Sequence, residues 1–136
     1  MIINLDYTSR VPIYEQIVNE SVEVLQNGGK ILASGLGKNV PICEKFVGTL
    51  NSFGIDARFL HTNTAVHGDL GMVGKNDIVF LLSKGGNTHE TVALENHLKD
   101  RGTNTWLMTF TKKCKSDKIS TLKKVFGKHF LLKKPR

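Results

Sequence analysis

Ser83-Lys-Gly-Gly-Asn-Thr-His-Glu90 gathers two hydroxyls, two consecutive glycines and a carboxylate within one short stretch. Glycines let a backbone approach a ligand closely, and the first amides of a following helix are unpaired and point at it. With Ser83 and Thr88 as hydroxyl donors, the stretch fits a phosphate cradle that requires no metal. The same residues also fit a plainer role, with Thr88 capping a helix and Glu90 a solvated first-turn acid favoured by the helix dipole. A second polar stretch, His61-Thr-Asn-Thr-Ala-Val-His67-Gly-Asp69, supplies two imidazoles and a carboxylate. Their spacing matches no recognised close metal-ligand pattern, so no metal site is expected. Each histidine can be structural, but imidazole is also the side chain most easily tuned for proton transfer near neutral pH. A third stretch, Gly35-Leu-Gly-Lys38, invites a nucleotide reading that fails on spacing. A Walker loop needs Gly-x4-Gly-Lys-Ser/Thr, and a dinucleotide fingerprint needs a small residue where Val40 stands and an acid where His61 stands. What remains is a tight strand-to-helix turn in which Lys38 is solvated.

Alternating elements must position these stretches. Ile13 to Gln26, entered through Pro12, carries Ile13, Ile17, Val18, Val22 and Leu25 at helical spacing, and Gly28-Gly29 stops it. Lys30–Ser34 reads as a buried strand, followed by a helix from about Pro41 with Ile42, Phe46, Val47, Leu50 and Phe53 on one face. Ala57–His61 and Asp77–Ser83 are the next strands, the latter apolar nearly throughout, as a central parallel strand covered on both faces should be. A helix over Thr88–Arg101, a strand over Thr105–Thr109, a weaker helix over Ile119–Phe126 and a short strand over His129–Leu132 complete the chain. The alternation predicts an α/β fold with a mostly parallel sheet and right-handed crossovers. In such sheets ligands bind beyond the carboxyl ends of the strands, where all three polar stretches fall.

Composition narrows the class. The 136 residues suit one domain, with residues 1–29 as an N-terminal helical part and 112–136 as a basic C-terminal segment. Apolar residues make up 40% and charged residues 23%, which excludes wholesale disorder. No apolar run is long enough for a membrane span, and the N-terminus does not read as a signal peptide. Cys43 and Cys114 form no disulfide framework, so a reducing cytoplasm is the expected compartment. The formal charge of +7 is unevenly spread. Residues 1–111 hold 9 basic and 11 acidic residues, whereas 112–136 hold 10 basic residues and only Asp117. A nucleic-acid role would rest on that tail alone, and no aromatic stacking platform accompanies its lysines. A solvated basic segment is the preferred reading.

Taken in order, Gly35-x-Gly-Lys38, His67-Gly-Asp-Leu-Gly-Met72 and Ser83-x-x-Gly-Asn-Thr-x-Glu90 resemble the sugar isomerase (SIS) domain, and within it the arabinose 5-phosphate isomerases. The likeness runs from about Lys30 to Thr109. It implies a flavodoxin-like three-layer sandwich with a five-stranded, mostly parallel sheet. It also implies a homo-oligomer, dimer or tetramer, whose site is built at a subunit interface. The expected ligand is a sugar phosphate, and the expected reaction interconverts an aldose and a ketose phosphate through an enediol without a cofactor. By this likeness Lys38, His67 and Glu90 are the catalytic positions. Ser83 and Thr88 hold phosphate, with Gly37, Asn39, Gly85, Gly86 and Asn87 beside them on the ligand. Asn39 and Gly85 stand where the family usually has serine, and Thr64 and Asn87 where glutamate is common. The family also continues well past its fifth strand with a further catalytic Glu, a His and oligomer packing, and regulatory CBS domains often follow. Ending at Arg136, the chain is therefore expected to be a shortened domain. That shortening supports a second reading, a non-catalytic sugar-phosphate sensor or scaffold of the same fold.

Overall fold

Four short apolar runs build the centre of the molecule, and their parallel pairing explains why they alternate so little. The computed structural model describes residues 11–109, 118–123 and 129–134. Its elements are α1 (Val11–Gln26), β1 (Ile31–Gly35), α2 (Asn39–Ser52), β2 (Ala57–His61), the single-turn α3 (Thr62–Ala65), a 3-10 turn (Asp69–Met72), β3 (Ile78–Leu82), α4 (His89–Asp100), β4 (Asn104–Thr109), β5 (Lys118–Lys123) and β6 (His129–Lys134). The sheet order is β2-β1-β3-β4-β6-β5. The first four strands are parallel, with Ser34 beside Leu60 and Leu81, and Leu81 beside Leu107. Every residue of β1 is buried, as a strand covered on both faces requires.

Two apolar clusters flank the sheet. Ile31, Ala33, Cys43, Val47, Ile78, Phe80 and Trp106 pack beneath α1 and α2. Leu32, Leu60, Ala65, Leu70, Leu81, Leu94, Leu98 and Leu107 pack beneath α3, the 3-10 turn and α4. The alternation of Ile31/Ala33 with Leu32 between the two clusters is the two-residue period of a strand feeding both layers. The expected three-layer α/β sandwich is therefore present.

Three expectations are corrected. The sheet has six strands rather than five, because the C-terminal segment folds back as an antiparallel pair, β5 with β6, that joins β4 through β6. Lys118–Lys123 lies in a strand where a helix over Ile119–Phe126 was expected. Its β-branched Ile119 and Thr121 alternate with Ser120 and Leu122, which suits a pleated strand better than a helix. The apolar faces of the first two helices also divide. In α1, Ile13, Ile17 and Leu25 pack inward with Val24, while Val18 and Val22 are exposed. In α2, Cys43 and Val47 are buried and Leu50 packs against them, Phe46 is part exposed but sets its ring edge-on to Phe80, and Ile42 and the C-cap Phe53 are exposed.

The amino ends of β1 and β3 are locked together. Lys30 Nζ meets Asp77 Oδ2 at 2.7 Å, and Asp77 also accepts the Lys30 backbone N–H at 2.9 Å and the Gly74 N–H at 2.6 Å. Gly29 lies so close to this turn that a Cβ there would sit 2.1 Å from the Asn76 carbonyl oxygen. Only glycine allows that approach.

Candidate functional site

Strand order places a switch point between β1 and β3, because β1 leads outward to β2 whereas β3 leads the other way to β4. Loops leaving adjacent strands at such a point turn to opposite faces and open a crevice between them. Here they are Leu36–Lys38 after β1 and Ser83–Thr88 after β3. The crevice is bridged at its root, since Asn39 Nδ2 donates to the Leu82 carbonyl at 3.3 Å. Gly37 and Lys38 are exposed on one rim, with Lys38 at the entry to α2.

The opposite rim is a tight turn. Ser83 is buried, and its N–H donates to the Met108 carbonyl at 3.0 Å, extending the β3–β4 ladder. Its hydroxyl oxygen accepts the Gly86 N–H at 3.0 Å, which closes the turn around Gly85. Gly86 has φ of 68°, in the left-handed region that glycine occupies without strain. From β4, the Thr109 hydroxyl donates to the Lys84 carbonyl at 2.9 Å and holds the turn from below. Thr88 occupies the N-cap of α4, as the plainer reading expects, but its hydroxyl caps no backbone amide. It donates instead to Thr91 Oγ1 at 2.5 Å. Gly85 and Asn87 are exposed along this rim, and Glu90 is half-buried in the first turn of α4.

His67 reaches the same edge by a different route. It lies between Ala65 and Leu70, both buried in the cluster that contains Leu94 and Leu98 of α4. The segment after β2 is therefore packed against the layer that carries Glu90. The His67 N–H donates to the Thr64 carbonyl at 3.0 Å, and its ring is exposed. His61 takes the structural role instead: its Nδ1 accepts the Asn63 N–H at 3.3 Å and caps α3. The loops bearing Lys38 and His67 and the first turn of α4 bearing Glu90 thus lie at the carboxyl edge of the sheet, but no hydrogen bond or ion pair joins those three side chains among the described residues.

Two further contacts were not anticipated from the sequence. Ser34 and Thr62 are both buried and share a hydroxyl hydrogen bond of 2.9 Å, tying the end of β1 to the start of α3. Thr91 receives the Thr88 hydroxyl from a fully packed position. The available signal was a small polar residue inside an otherwise apolar period, at Ser34 and at Thr91. A cavity of about 230 Å³ lies at the far, amino edge, bordered by Glu20, Asn76, Asp77 and Asn104. Another of about 280 Å³ lies between α1 and α2 and is wholly apolar. Among the described residues no group of three His, Cys, Asp or Glu side chains could hold a metal ion. Cys43 is buried and free, and burial with the neighbouring Glu44 charge pushes its thiol up to about 11.

Fold and loop placement together define a flavodoxin-like α/β domain with a polar loop edge at its β1/β3 switch point. The chain belongs to the SIS domain family, whose profile matches residues 24–122. It is 33% identical over 103 residues to the arabinose 5-phosphate isomerase GutQ of Escherichia coli K12, covering 74% of this chain and 32% of GutQ. It is 42% identical over 98 residues to an uncharacterised Helicobacter pylori protein, covering 72% of this chain and 29% of that one. The chain thus spans about a third of the length of these curated relatives. A solved Escherichia coli CFT073 protein in complex with arabinose 5-phosphate superposes with a TM-score of 0.61 at 27% identity, over 81% of this chain and 69% of that one. A phosphoheptose isomerase from Neisseria gonorrhoeae shares the fold at 20% identity, with a TM-score of 0.62 over 76% and 64% of the two chains. No helix among the described residues is long and apolar enough to cross a membrane.

Proposed function

We propose that the protein binds a sugar phosphate at the β1/β3 edge and interconverts its aldose and ketose forms, with arabinose 5-phosphate as the first substrate to test. The observation that carries this reading is Thr88. At the N-cap it gives its hydroxyl to Thr91 and not to the backbone, so the first amides of α4 keep their donors for an anion. The Ser83 oxygen is used by Gly86, which leaves its hydroxyl hydrogen to donate to the same phosphate.

With phosphate anchored there, the sugar's C1–C2 end extends toward Lys38, His67 and Glu90. Glu90 or His67 removes the C2 proton and returns it at C1, while the O2 proton passes to O1, so that the enediol collapses to the ketose. Lys38 stabilises the negative oxygen that develops between these steps. No redox cofactor or metal takes part in this scheme. A homo-oligomer and a cytoplasmic setting accompany it.

A second reading, a sensor or scaffold that binds without turnover, draws on Asn39 and Gly85. The Asn39 amide is committed to Leu82, and Gly85 offers no hydroxyl to a ligand. Incubation with arabinose 5-phosphate, followed by detection of the ketose, separates the two. Ketose formation supports the isomerase. Thermal stabilisation by the phosphosugar without any product leaves the sensor standing and overturns the enzyme.

A further inference from the structure

The buried residues of α4 are Thr91, Leu94 and Leu98, spaced three and four apart on the face that packs against the sheet. The two leucines are what such a stripe calls for, whereas Thr91 brings a hydroxyl into it. Thr91 is 2% exposed, so its oxygen needs a partner inside the protein. That partner is Thr88, one turn back, whose hydroxyl donates to Thr91 Oγ1 at 2.5 Å. Thr88 itself is exposed at the N-cap, and its side chain takes no backbone amide. A buried threonine therefore sets the direction of an exposed one, at the end of the turn that carries Ser83 and Gly86.

We propose that Thr91 is a positioning residue for the sugar-phosphate site and acts on the ligand through Thr88. The inference rests on the reading of the β1/β3 edge as that site, and adds to it a residue that the ligand does not touch. A threonine hydroxyl has one hydrogen to give and two lone pairs to accept with. In this structure the Thr88 hydrogen is directed at Thr91. An ionised phosphate oxygen only accepts, so Thr88 holds it by turning that hydrogen outward. Thr91 then rotates its own hydrogen onto the Thr88 oxygen. The bond between the two threonines reverses, both oxygens stay paired, and no heavy atom has to move. The row from Thr91 through Thr88 to phosphate is also cooperative, since a hydroxyl that accepts a hydrogen bond donates a stronger one.

Thr91→Val keeps the shape of the stripe and removes the hold. Thr88 is then free to turn its oxygen to the N–H of residue 90 or 91, as an N-cap threonine ordinarily does. An amide taken in this way is one donor fewer for the anion. The loss is felt because the Ser83–Glu90 stretch has two hydroxyls, Ser83 and Thr88, and the Ser83 oxygen is already engaged by Gly86. Thr109, another buried threonine at this turn, gives its hydroxyl to the Lys84 carbonyl and so steadies the backbone. Thr91 differs in that it directs a side chain, and the side chain lies on the ligand's rim.

Calorimetric titration with arabinose 5-phosphate, on the full chain and on Thr91→Val, Thr91→Ser and Thr88→Ala, tests it. The wild type binds the phosphosugar. Thr91→Val weakens that binding by roughly five- to tenfold, the worth of about one hydrogen bond, and Thr91→Ser returns it to within about twofold of wild type. Where the phosphosugar is turned over, KM rises by the same factor and kcat is kept. In a Thr88→Ala background Thr91→Val has no further effect, because the residue acts through Thr88. Wild-type affinity in Thr91→Val, failure of Thr91→Ser to restore it, or the full loss repeated in the Thr88→Ala background overturns the inference and leaves the phosphosugar reading intact. So does a fall in kcat with KM unchanged, or a Thr91→Val chain that does not fold, since Thr91 would then serve packing. A wild type that binds no phosphosugar overturns the reading itself, and the inference with it.

Discussion

The two ends of the parallel sheet are built on opposite principles. At the amino end, Asp77 is buried and accepts three hydrogen bonds, from the Lys30 side chain, the Lys30 backbone and the Gly74 backbone, with Gly29 pressed against the neighbouring turn. At the carboxyl end, the loops carry exposed Lys38, His67 and Gly85 and a cap residue that does not cap. Around Asp77 the polar groups satisfy one another, although Thr103 Oγ1 and Asn104 Oδ1 at the amino end of β4 are buried without a hydrogen-bond partner among the described residues; at the carboxyl end Lys38, His67 and Gly85 face solvent. The difference sets a packed, ion-paired end against a polar, solvent-facing one at the two ends of the same strands.

The largest expected effect lies at the open end. On the proposed isomerase reading, Glu90→Gln lowers kcat by roughly 10²–10⁴, the usual contribution of a positioned proton carrier. On the same reading, phosphosugar-induced thermal stabilisation persists, because the proposed phosphate contacts lie in the loop before Glu90. If kcat is unchanged and only KM rises, Glu90 binds the substrate and does not move a proton.

At the closed end, Asp77→Ala leaves the Lys30 ammonium, 18% exposed, without its partner and costs about 3 kcal/mol in chemical denaturation. The same carboxylate sets a pH dependence. Burial by itself would raise its pKa, but the Lys30 ammonium and the backbone N–H groups of Gly74 and Lys30 outweigh it and hold the carboxyl below its ordinary value. A depressed folded-state pKa stabilises above the unfolded value and is lost as pH falls below about 4 through the folded value. Stability measured from pH 6 downward therefore falls less steeply in Asp77→Asn than in wild type. An unchanged slope would place the acid sensitivity elsewhere.

How much of this was legible in the sequence follows the same division. The strands were legible because parallel strands covered on both faces are nearly continuous apolar runs, as Ile78–Leu82 is. The loops bearing Lys38 and His67 and the turn before Glu90 were legible from the glycines and from their motifs, and strand order explains why they leave the sheet at the same edge. Helix faces were less so. Ile42 and Val47 are equally apolar, and periodicity cannot tell the stripe that faces the sheet from one that faces outward. The final strand was legible, whereas the one before it was misread because a short segment such as Ile119–Leu122 carries too few residues to separate a period of 2 from one of 3.6. The Lys30–Asp77 contact joins residues 47 positions apart, and no local pattern announces it.

The smallest expected effect concerns a buried hydroxyl pair at the root of the open end. Ser34 and Thr62 are both buried, and their mutual hydrogen bond holds the segment leading to His67 against β1. Removing one hydroxyl strands the other, so Ser34→Ala or Thr62→Val alone costs about 1–2 kcal/mol. Removing both leaves an apolar contact of similar shape and costs less than the two singles together. The coupling from such a double-mutant cycle is therefore about 1 kcal/mol. Additive losses would mean that each hydroxyl has its own partner and that the pair does not act as a unit. If the pair positions His67, the double variant regains stability but not turnover, since an apolar contact no longer fixes the start of α3 by direction. Turnover restored along with stability would show that the pair serves packing alone, and would move the boundary between the two ends of the sheet closer to the site.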